Sequence, residues 1–468
     1  MLNSGMTRNQ RLVLVIAVMA SFVAFLDGSV INVALPAIRD ELGGGLSTQQ
    51  WVVDAYLITL GSLILLAGSL SDVFGRIVIL RSGLIGFGIA SLLIAVAPSA
   101  ELVIALRALQ GMAGALLVPS SLALIMSTFR DAAQARAIGQ WTAWTSAAFL
   151  VGPVLGGLFV DFLSWRFVFA INVIPIVVTL WLLVILGHKD ERKANTRIDF
   201  WGALLGIIGL GGPVFALIEQ GNYGWNSPIV LVPFLIGMLS FLAFLWWQKR
   251  APQPMLPLEL FRERNFSMGN IATSFIYGAL ALGGFVVVVY LQEVAGYAAT
   301  FAALAFLPSS VAIVLLSSYF GALSGKYGPR LFMTVGPLLG GIGYLTFLSM
   351  QESVNYVTQV LPGVLLFSLG LSMTVAPLTS AILGAISSAQ AGIGSAVNNA
   401  VSRIAGLITV ALIGVIVVGP LTVENFHRAM IVTAVLLFMG SAMSYFGIRN
   451  PQRGESSVDP AAVVPTQP

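Results

Sequence analysis

Long uninterrupted apolar segments constrain the fold of this chain more than any other feature of its sequence. A helix needs about 20 apolar residues to cross the bilayer core, which is roughly 30 Å thick. Strands of a transmembrane barrel would alternate apolar and polar residues, and these segments do not. The segments lie near residues 12–36, 51–70, 78–97, 101–128, 137–160, 166–187, 199–219, 229–248, 269–292, 299–320, 329–349, 355–384, 397–418 and 427–447. The sequence therefore predicts an all-α polytopic membrane protein with 14 transmembrane helices.

The composition excludes most other classes of protein. Only 9% of the 468 residues are charged and 57% are hydrophobic, whereas about a quarter of a soluble domain is charged. No cysteine is present, and the two histidines, His188 and His427, lie at predicted helix ends, so no metal site is expected. No nucleotide-binding or hydrolase motif occurs, so we expect neither a cofactor nor an enzyme. The formal charge of +4 reflects membrane topology rather than binding to nucleic acid.

The distribution of Lys and Arg predicts the orientation in the membrane. With the N-terminus inside, the inside segments carry 18 of the 23 basic residues and the outside segments carry three. A miscounted helix would destroy this agreement with the positive-inside rule. We therefore expect a multi-pass protein of the inner (cytoplasmic) cell membrane with both termini in the cytoplasm. The polar tail is expected to be disordered.

Short sequence matches indicate an internal repeat. Residues 68–75 and 321–328 share Gly, Leu, Ser, an aromatic residue and Gly, with an offset of 253. The dipeptides Val118-Pro119 and Ala376-Pro377 correspond at an offset of 258. Repeated halves are a common design of transporters. We predict a six-helix bundle over 1–187, two inserted helices with charged cytoplasmic loops over 188–268, a second six-helix bundle over 269–448 and a tail over 449–468.

Two charged residues fall inside apolar segments, where a charge is costly and usually functional. Asp27 lies about 9 residues before the predicted outer end of its helix, and Arg107 about 6 residues after the outer start of the fourth. At about 1.5 Å per residue, both lie roughly 10–14 Å below the outer surface. We therefore expect an Asp27–Arg107 pair that couples transport to protons, the alternative being a static ion pair. Burial of a carboxylate favours its neutral form, so Asp27 can bind and release a proton.

Other polar and aromatic residues leave alternatives open. Asp54 is either an interfacial residue or a second carboxylate in a substrate cavity. Arg403, placed at the inner edge of the thirteenth helix, either extends to the interface, binds an anionic group or contacts the other half. Trp144, Tyr277 and Tyr290 are candidate walls of an apolar substrate cavity.

Two segments combine glycine with charge or proline. The loop that contains Asp72, Gly75, Arg76 and Arg81 is either an ordinary cytoplasmic loop or a conformational latch, in which Asp72 caps a helix or pairs across the halves. In the fifth helix, Pro153 removes a backbone donor and the glycines around it narrow one face. The glycines Gly152, Gly156 and Gly157 form a packing seam, and the kink at Pro153 is expected to seal the cavity against proton leak and to let the halves rock.

Several of these segments resemble the motifs of one family. Residues 68–76 resemble the G-x-L-x-D-x-x-G-R loop of the major facilitator superfamily. Residues 26–36 and 107–114 resemble the first-helix and R-x-x-Q-G motifs of its 14-helix drug:proton antiporter branch. Residues 152–157 resemble the antiporter motif G-P-x-x-G-G, and residues 165–172 match W-R-x-x-F-x-I-N. The resemblance implies a major facilitator fold of two six-helix bundles and two inserted helices, and it adds Asn32 and Gln110 to the candidate substrate cavity.

The resemblance and the charged residues together lead to one functional expectation. The chain is expected to be a proton-coupled antiporter that exports lipophilic compounds, such as drugs, dyes and monovalent organic cations, by alternating access. The alternative is a dedicated exporter of a single metabolite or natural product. Divalent cations are disfavoured because the second half has no acidic residue deep in a helix. We expect a monomer whose partners are small lipophilic substrates, protons and the bilayer. The sequence does not decide whether the protein works with a periplasmic adaptor.

Overall fold

The computed structural model describes residues 6–187, 198–387, 390–417 and 419–450. Every regular element in these ranges is helical. His188 and the tail from residue 451 lie outside the described residues. The predicted all-α architecture is confirmed, because 14 of the described helices are long and apolar enough to cross a membrane.

We number these helices in chain order. They are α1 (Arg8–Leu42), α2 (Gly45–Phe74), α3 (Arg76–Ala95), α4 (Ala100–Thr128), α5 (Arg136–Phe162), α6 (Arg166–Leu186), α7 (Phe200–Tyr223), α8 (Pro228–Gln248), α9 (Arg264–Glu293), α10 (Ala299–Tyr327), α11 (Pro329–Ser349), α12 (Tyr356–Leu383), α13 (Ala391–Ile416) and α14 (Val423–Gly447).

The first six helices and the last six pack in the same pattern. In the first half, α1–α6, α4 contacts α1, α2 and α3, and α1 also contacts α5 and α6. In the second half, α9–α14, α12 makes the equivalent contacts with α9, α10 and α11, and α9 with α13 and α14. The two sets of helices therefore correspond in order, eight helices apart.

The remaining helices, α7 and α8, lie at the side of the bundle. Leu210 and Val214 of α7 pack against Ile58 of α2 and Leu407 of α13, so α7 spans the seam between the halves. Only 17% of the most apolar 18-residue stretch of α8 is buried inside the protein. Its large apolar side chains face the surroundings of the bundle, as expected for a helix in contact with lipid.

Several helices extend beyond the boundaries expected from the sequence, and two of these differences bear on the site. Helix α1 continues through Pro36 to Leu42 and ends where Gly43 adopts a φ of 81°. Helix α13 begins at Ala391 rather than near residue 397. The early turns of α13 carry Asn398 and Asn399, whose polarity lowers the hydropathy on which the prediction rested. Arg403 therefore lies near the middle of its helix, and its placement at the inner edge was wrong.

Polar contacts join the halves at one end of the bundle, which we call the outer end because the expected orientation puts it outside. Arg39 of α1 forms an ion pair with Glu293 of α9. Gln49 Nε2 donates to Glu293 Oε1 at 2.8 Å, and Gln50 Nε2 donates to the carbonyl oxygen of Val410 at 2.7 Å. In this structure the outer ends of α1 and α2 are thus tied to the second half.

A second outer contact joins α5 to α10. The carboxylate of Asp161 accepts hydrogen bonds from the backbone N–H groups of Ala299 and Thr300, at 3.0 and 2.8 Å. These N–H groups begin α10 and have no partner within the helix, so Asp161 supplies the acceptor from the opposite half. A contact between the halves was predicted neither for Asp161 nor for Glu293. Both residues lie at helix ends, where a carboxylate is commonly exposed to solvent.

Candidate transport site

Asp27 and Arg107 lie together inside the first half, as their depths in the sequence suggested. Arg107 Nη1 donates to Asp27 Oδ2 at 2.6 Å, and each side chain is only 1% exposed. An ion pair at this burial is stable only when other groups satisfy the remaining donors and acceptors. The surrounding residues supply those groups.

Amide side chains complete the shell around Asp27. Gln110 Nε2 and Asn172 Nδ2 both donate to Asp27 Oδ1 at 2.9 Å. Gln110 also accepts from Arg107 at 2.7 Å and donates to Ser91 Oγ at 2.9 Å. Both oxygens of Asp27 are therefore occupied by donors. Gln110 belongs to this cluster and is fully buried in this structure, and its assignment to the substrate cavity stays a prediction.

Asn172 and Ser91 are site residues that the sequence reasoning missed. Both are completely buried. Asn172 is the last residue of the W-R-x-x-F-x-I-N motif. Its position could have indicated a buried hydrogen bond, because an amide side chain in an apolar helix needs a partner. Ser91 gives no such signal, since a hydroxyl in a membrane helix commonly bonds to its own backbone.

Arg107 is held on three other sides. Its Nε donates to the carbonyl oxygen of Val52 at 2.9 Å. The guanidinium carbon lies 4.3 Å from the ring centroid of Tyr56 and 5.7 Å from that of Phe169. Cation–π contacts stabilise a desolvated guanidinium. The charge of Arg107 is thus compensated within the first half, and it does not face the second.

Asp54 is buried, which rules out the interfacial alternative. Its side chain is 0% exposed, and neither carboxylate oxygen has a hydrogen-bond partner. It lies on α2 one turn after Gln50, whose amide contacts α13. An ionised carboxylate in such surroundings would be costly because no cation or donor stabilises it.

Half-buried faces of α1 and α13 oppose each other between the halves. On α1 the half-buried positions Phe22, Phe25, Gly28 and Asn32 recur with helical spacing. On α13 the equivalent positions are Gly392, Ala396, Asn399 and Arg403. Arg403 of α13 approaches Gly28 and Phe25 of α1.

The remaining cavity candidates divide. Asn32 lies on the half-buried face of α1, and Tyr277 is half-buried on α9. Trp144 is 64% exposed on α5. Tyr290 is fully buried and stacks on Phe426 of α14 with 3.9 Å between ring centroids. Tyr290 therefore lies in the interior of the second half in this structure, and its assignment to the cavity stays a prediction.

Arg403 extends from α13 towards the first half. A Cβ atom on Gly28 would lie 3.9 Å from Arg403 Nη1, and the guanidinium carbon lies 5.6 Å from the ring centroid of Phe25. Its own Cβ lies 3.8 Å from the Cβ position of Gly61 on α2. The positive charge of Arg403 therefore stands between the halves, next to the residue that follows Asp27.

The glycines of α5 form close contacts with two neighbours. Gly152 and Gly156 pack against Ser29 and Val30 of α1. A Cβ atom on Gly157 would lie 2.5 Å from the Cα atom of Thr300, across the junction between the halves. Pro153 lies inside the helical segment Ala148–Phe162, which follows a break at Ala147. The glycine seam thus includes one position, Gly157, where the backbones of the two halves approach closely.

The loop-motif residues lie together at the end of α2 and the start of α3. Gly75 has a φ of 105°, a conformation that favours glycine, and it connects the two helices. Arg76 Nη2 lies 3.7 Å from Asp72 Oδ1, and Arg81 is exposed on α3. In the matching loop of the second half, Gly328 has a φ of 86°. The conformational role of this loop stays a prediction.

The described residues contain no group of three or more His, Asp or Glu side chains that could hold a metal ion.

Comparisons with known proteins place this architecture in a family. Residues 17–410 match the family model of the Major Facilitator Superfamily, and the chain belongs to that family. It is 30% identical to the multidrug resistance protein Stp of Mycobacterium tuberculosis (strain CDC 1551 / Oshkosh), over 98% of this chain and 87% of that protein. It is 33% identical to the methylenomycin A resistance protein of Bacillus subtilis (strain 168), over 86% of this chain and 87% of that protein.

A solved structure shares the fold. The chain resembles the xylose transporter XylE from E. coli with a TM-score of 0.65 at 14% identity, covering 94% of this chain and 97% of that one. The predicted resemblance to the major facilitator superfamily is therefore confirmed. The chain is a multi-pass membrane protein with the fold and family of transporters of small molecules.

Proposed function

We propose that this protein is a proton-coupled antiporter that exports lipophilic compounds by alternating access, with Asp27 as the principal proton site and Arg107 as its partner. The observation that carries the proposal is the buried cluster around Asp27. A charged pair at this depth, fully bonded within one half, is an expensive feature that membrane proteins retain for function. Drug resistance in the relatives agrees with export as the direction of transport.

The coupling follows from what opening the cluster would change. While Asp27 accepts hydrogen bonds from Arg107, Gln110 and Asn172, its charged form is stabilised. A motion of α1 relative to α4 or α6 removes donors and favours the neutral, proton-bound form. Proton binding is thereby linked to the relative position of these helices, which is the requirement for exchange.

Asp54 is the second candidate for proton binding. Its carboxylate has no hydrogen-bond partner and lies on α2 one turn after Gln50, which contacts α13. Burying a neutral carboxyl group costs far less free energy than burying a charged one. We propose that it acts after Asp27 or adjusts the proton stoichiometry. Because no other carboxylate is comparably buried on the second-half side of the described residues, bis-cationic substrates stay disfavoured.

Asp27→Asn tests the proposal directly. In everted membrane vesicles with an imposed proton gradient, substrate addition releases protons through an exchanger, and a pH-sensitive acridine dye reports this. We expect the response to neutral lipophilic antibiotics to be lost in Asp27→Asn, because the proton site is gone. Downhill movement of the same compounds should persist.

The matched control is Asp40→Asn, the same exchange at a side chain that is 66% exposed at the outer end. It should respond as the wild type does. Full proton release by the Asp27→Asn variant would move the coupling site elsewhere, with Asp54 next in line.

One relative favours the alternative of a dedicated exporter, since its name refers to a single antibiotic, methylenomycin A. The same vesicles distinguish the two readings. A multidrug exporter responds to several unrelated lipophiles, whereas a dedicated exporter responds to one chemical series.

A further inference from the structure

We propose that Arg403 binds an anionic group of the transported compound, so that lipophilic compounds with one carboxylate or sulfonate are preferred substrates. This inference rests on the proposed export function and names its substrate class. It concerns a residue of the second half, whereas the proposed proton site, Asp27 with Arg107, lies in the first half.

The depth of Arg403 is the first observation. It lies 12 residues after the start of α13 at Ala391 and 13 before its end at Ile416. At about 1.5 Å per residue the backbone is therefore roughly 18 Å from either end, near the middle of the membrane. Extension to the interface, one of the alternatives for this residue, is excluded because the side chain is too short for that distance and points towards α1.

The second observation is that Arg403 has no counter-charge. In the part of the chain that the structure describes, no carboxylate forms an ion pair with it. Asp27, which precedes Gly28 on α1, is 1% exposed and already bonded to Arg107. The guanidinium lies beside the Phe25 ring and Gly28. A guanidinium in this position is therefore only weakly compensated by the protein.

The third observation is accessibility. Arg403 is half-buried on the face of α13 that opposes α1, whereas Arg107 is sealed within the first half. A compound between the halves therefore meets the charge of Arg403 and not that of Arg107. Asn399, one turn away on the same face, has a buried Oδ1 without a partner, so the polar surface of α13 extends beyond the guanidinium.

Chemistry then selects the ligand. A planar guanidinium binds carboxylates and sulfonates through paired hydrogen bonds, and such bonds are strongest where water is scarce. The adjacent Phe25 ring and the half-buried Phe22 offer apolar contacts for the body of the compound. An anionic lipophile would satisfy both, while a cation would meet repulsion.

Binding of two matched fluorescent probes tests this inference. The probes are 1-anilinonaphthalene-8-sulfonate and N-phenyl-1-naphthylamine, which share the aromatic body and differ in the sulfonate. Both are titrated into the purified full-length protein in nanodiscs, and empty nanodiscs provide the background. We expect Arg403→Gln to weaken binding of the sulfonate about tenfold or more, as for loss of a charged hydrogen bond, and to change binding of the neutral probe less than about twofold.

Two further variants keep the test informative if Arg403→Gln folds poorly. Arg403→Lys keeps the charge and should retain most of the sulfonate affinity. Gly28→Asp adds a carboxylate beside Arg403, where a Cβ meets only Nη1 within 4 Å. It should reduce sulfonate binding by internal competition, whereas the neutral match Gly28→Asn should not. Arg250→Gln, an exposed position after α8, controls for net charge.

The outcomes separate the two proposals. Selective loss of sulfonate binding in Arg403→Gln and Gly28→Asp supports the inference. Sulfonate binding that is independent of Arg403, or equal loss of both probes in Arg403→Gln, overturns it. In either case, binding of the neutral probe by the wild-type protein leaves the export proposal standing. A wild-type protein that binds neither probe above background overturns both.

Discussion

At the scale of residues, the contrast between Asp27 and Asp54 is the most informative feature of the molecule. Both are buried carboxylates, but Asp27 has three side-chain donors and Asp54 has none. The energetic consequences of neutralising them should therefore differ, since one residue contributes to an ion pair and the other does not.

We predict that Asp27→Asn lowers the thermal stability of the purified protein and that Asp54→Asn does not. Removal of one partner of a buried ion pair costs about 3–5 kcal/mol because the other charge stays buried. Differential scanning fluorimetry in one detergent gives the comparison. The double variant Asp27→Asn, Arg107→Gln should recover part of the loss. A lower Tm for Asp54→Asn than for Asp27→Asn would contradict the assignment of the partners.

At the scale of elements, the contacts at the outer end join the two halves of the molecule. Asp161 ties α5 to the start of α10, and the Arg39–Glu293 pair ties α1 to α9. Gly157 lies one turn before Asp161 on the same helix and allows the backbones to approach. These contacts must break if the outer end opens, so they contribute to the balance between two states.

We predict that Gly157→Ala opens the outer end, because the added Cβ would lie 2.5 Å from the Cα atom of Thr300. Because the chain has no cysteine, spin labels at Asp40→Cys and Ala298→Cys can be introduced without other changes. Electron–electron resonance should then show a longer distance in Gly157→Ala.

The control is Gly139→Ala on the same helix, where a Cβ meets no atom within 4 Å. An unchanged distance distribution in Gly157→Ala would show that this contact does not limit the approach of the halves.

At the scale of the whole molecule, the charge distribution predicts which end faces the cytoplasm. Asn222 lies in the last turn of α7 and belongs to the outer end, whereas Arg250 follows α8 and belongs to the basic inner side. Both positions are exposed.

We predict that Asn222→Cys reacts with a membrane-impermeant maleimide in intact cells and that Arg250→Cys reacts only after the cells are lysed. The opposite pattern would invert the orientation and, with it, the assignment of the outer contacts.

The number and type of helices followed from the sequence because the bilayer demands about 20 apolar residues per span, a signal that is local. The pairing of Asp27 with Arg107 was also predictable, since equal depth in neighbouring helices limits the partners of a buried charge. The motif ending in Asn172 contained a further clue, because a buried amide requires a partner.

Only the tertiary structure decided which residues face one another across helices. Gln110 joined the Asp27 cluster, Tyr290 stacked on Phe426, and Arg403 moved from a helix end to the middle of the membrane. In a membrane protein nearly every face of a helix is apolar, so periodicity does not separate lipid-facing from cavity-facing positions. Packing between segments that are distant in sequence determines how each helix is rotated, where it begins and how closely the two halves approach. The local composition of a segment therefore does not predict these features.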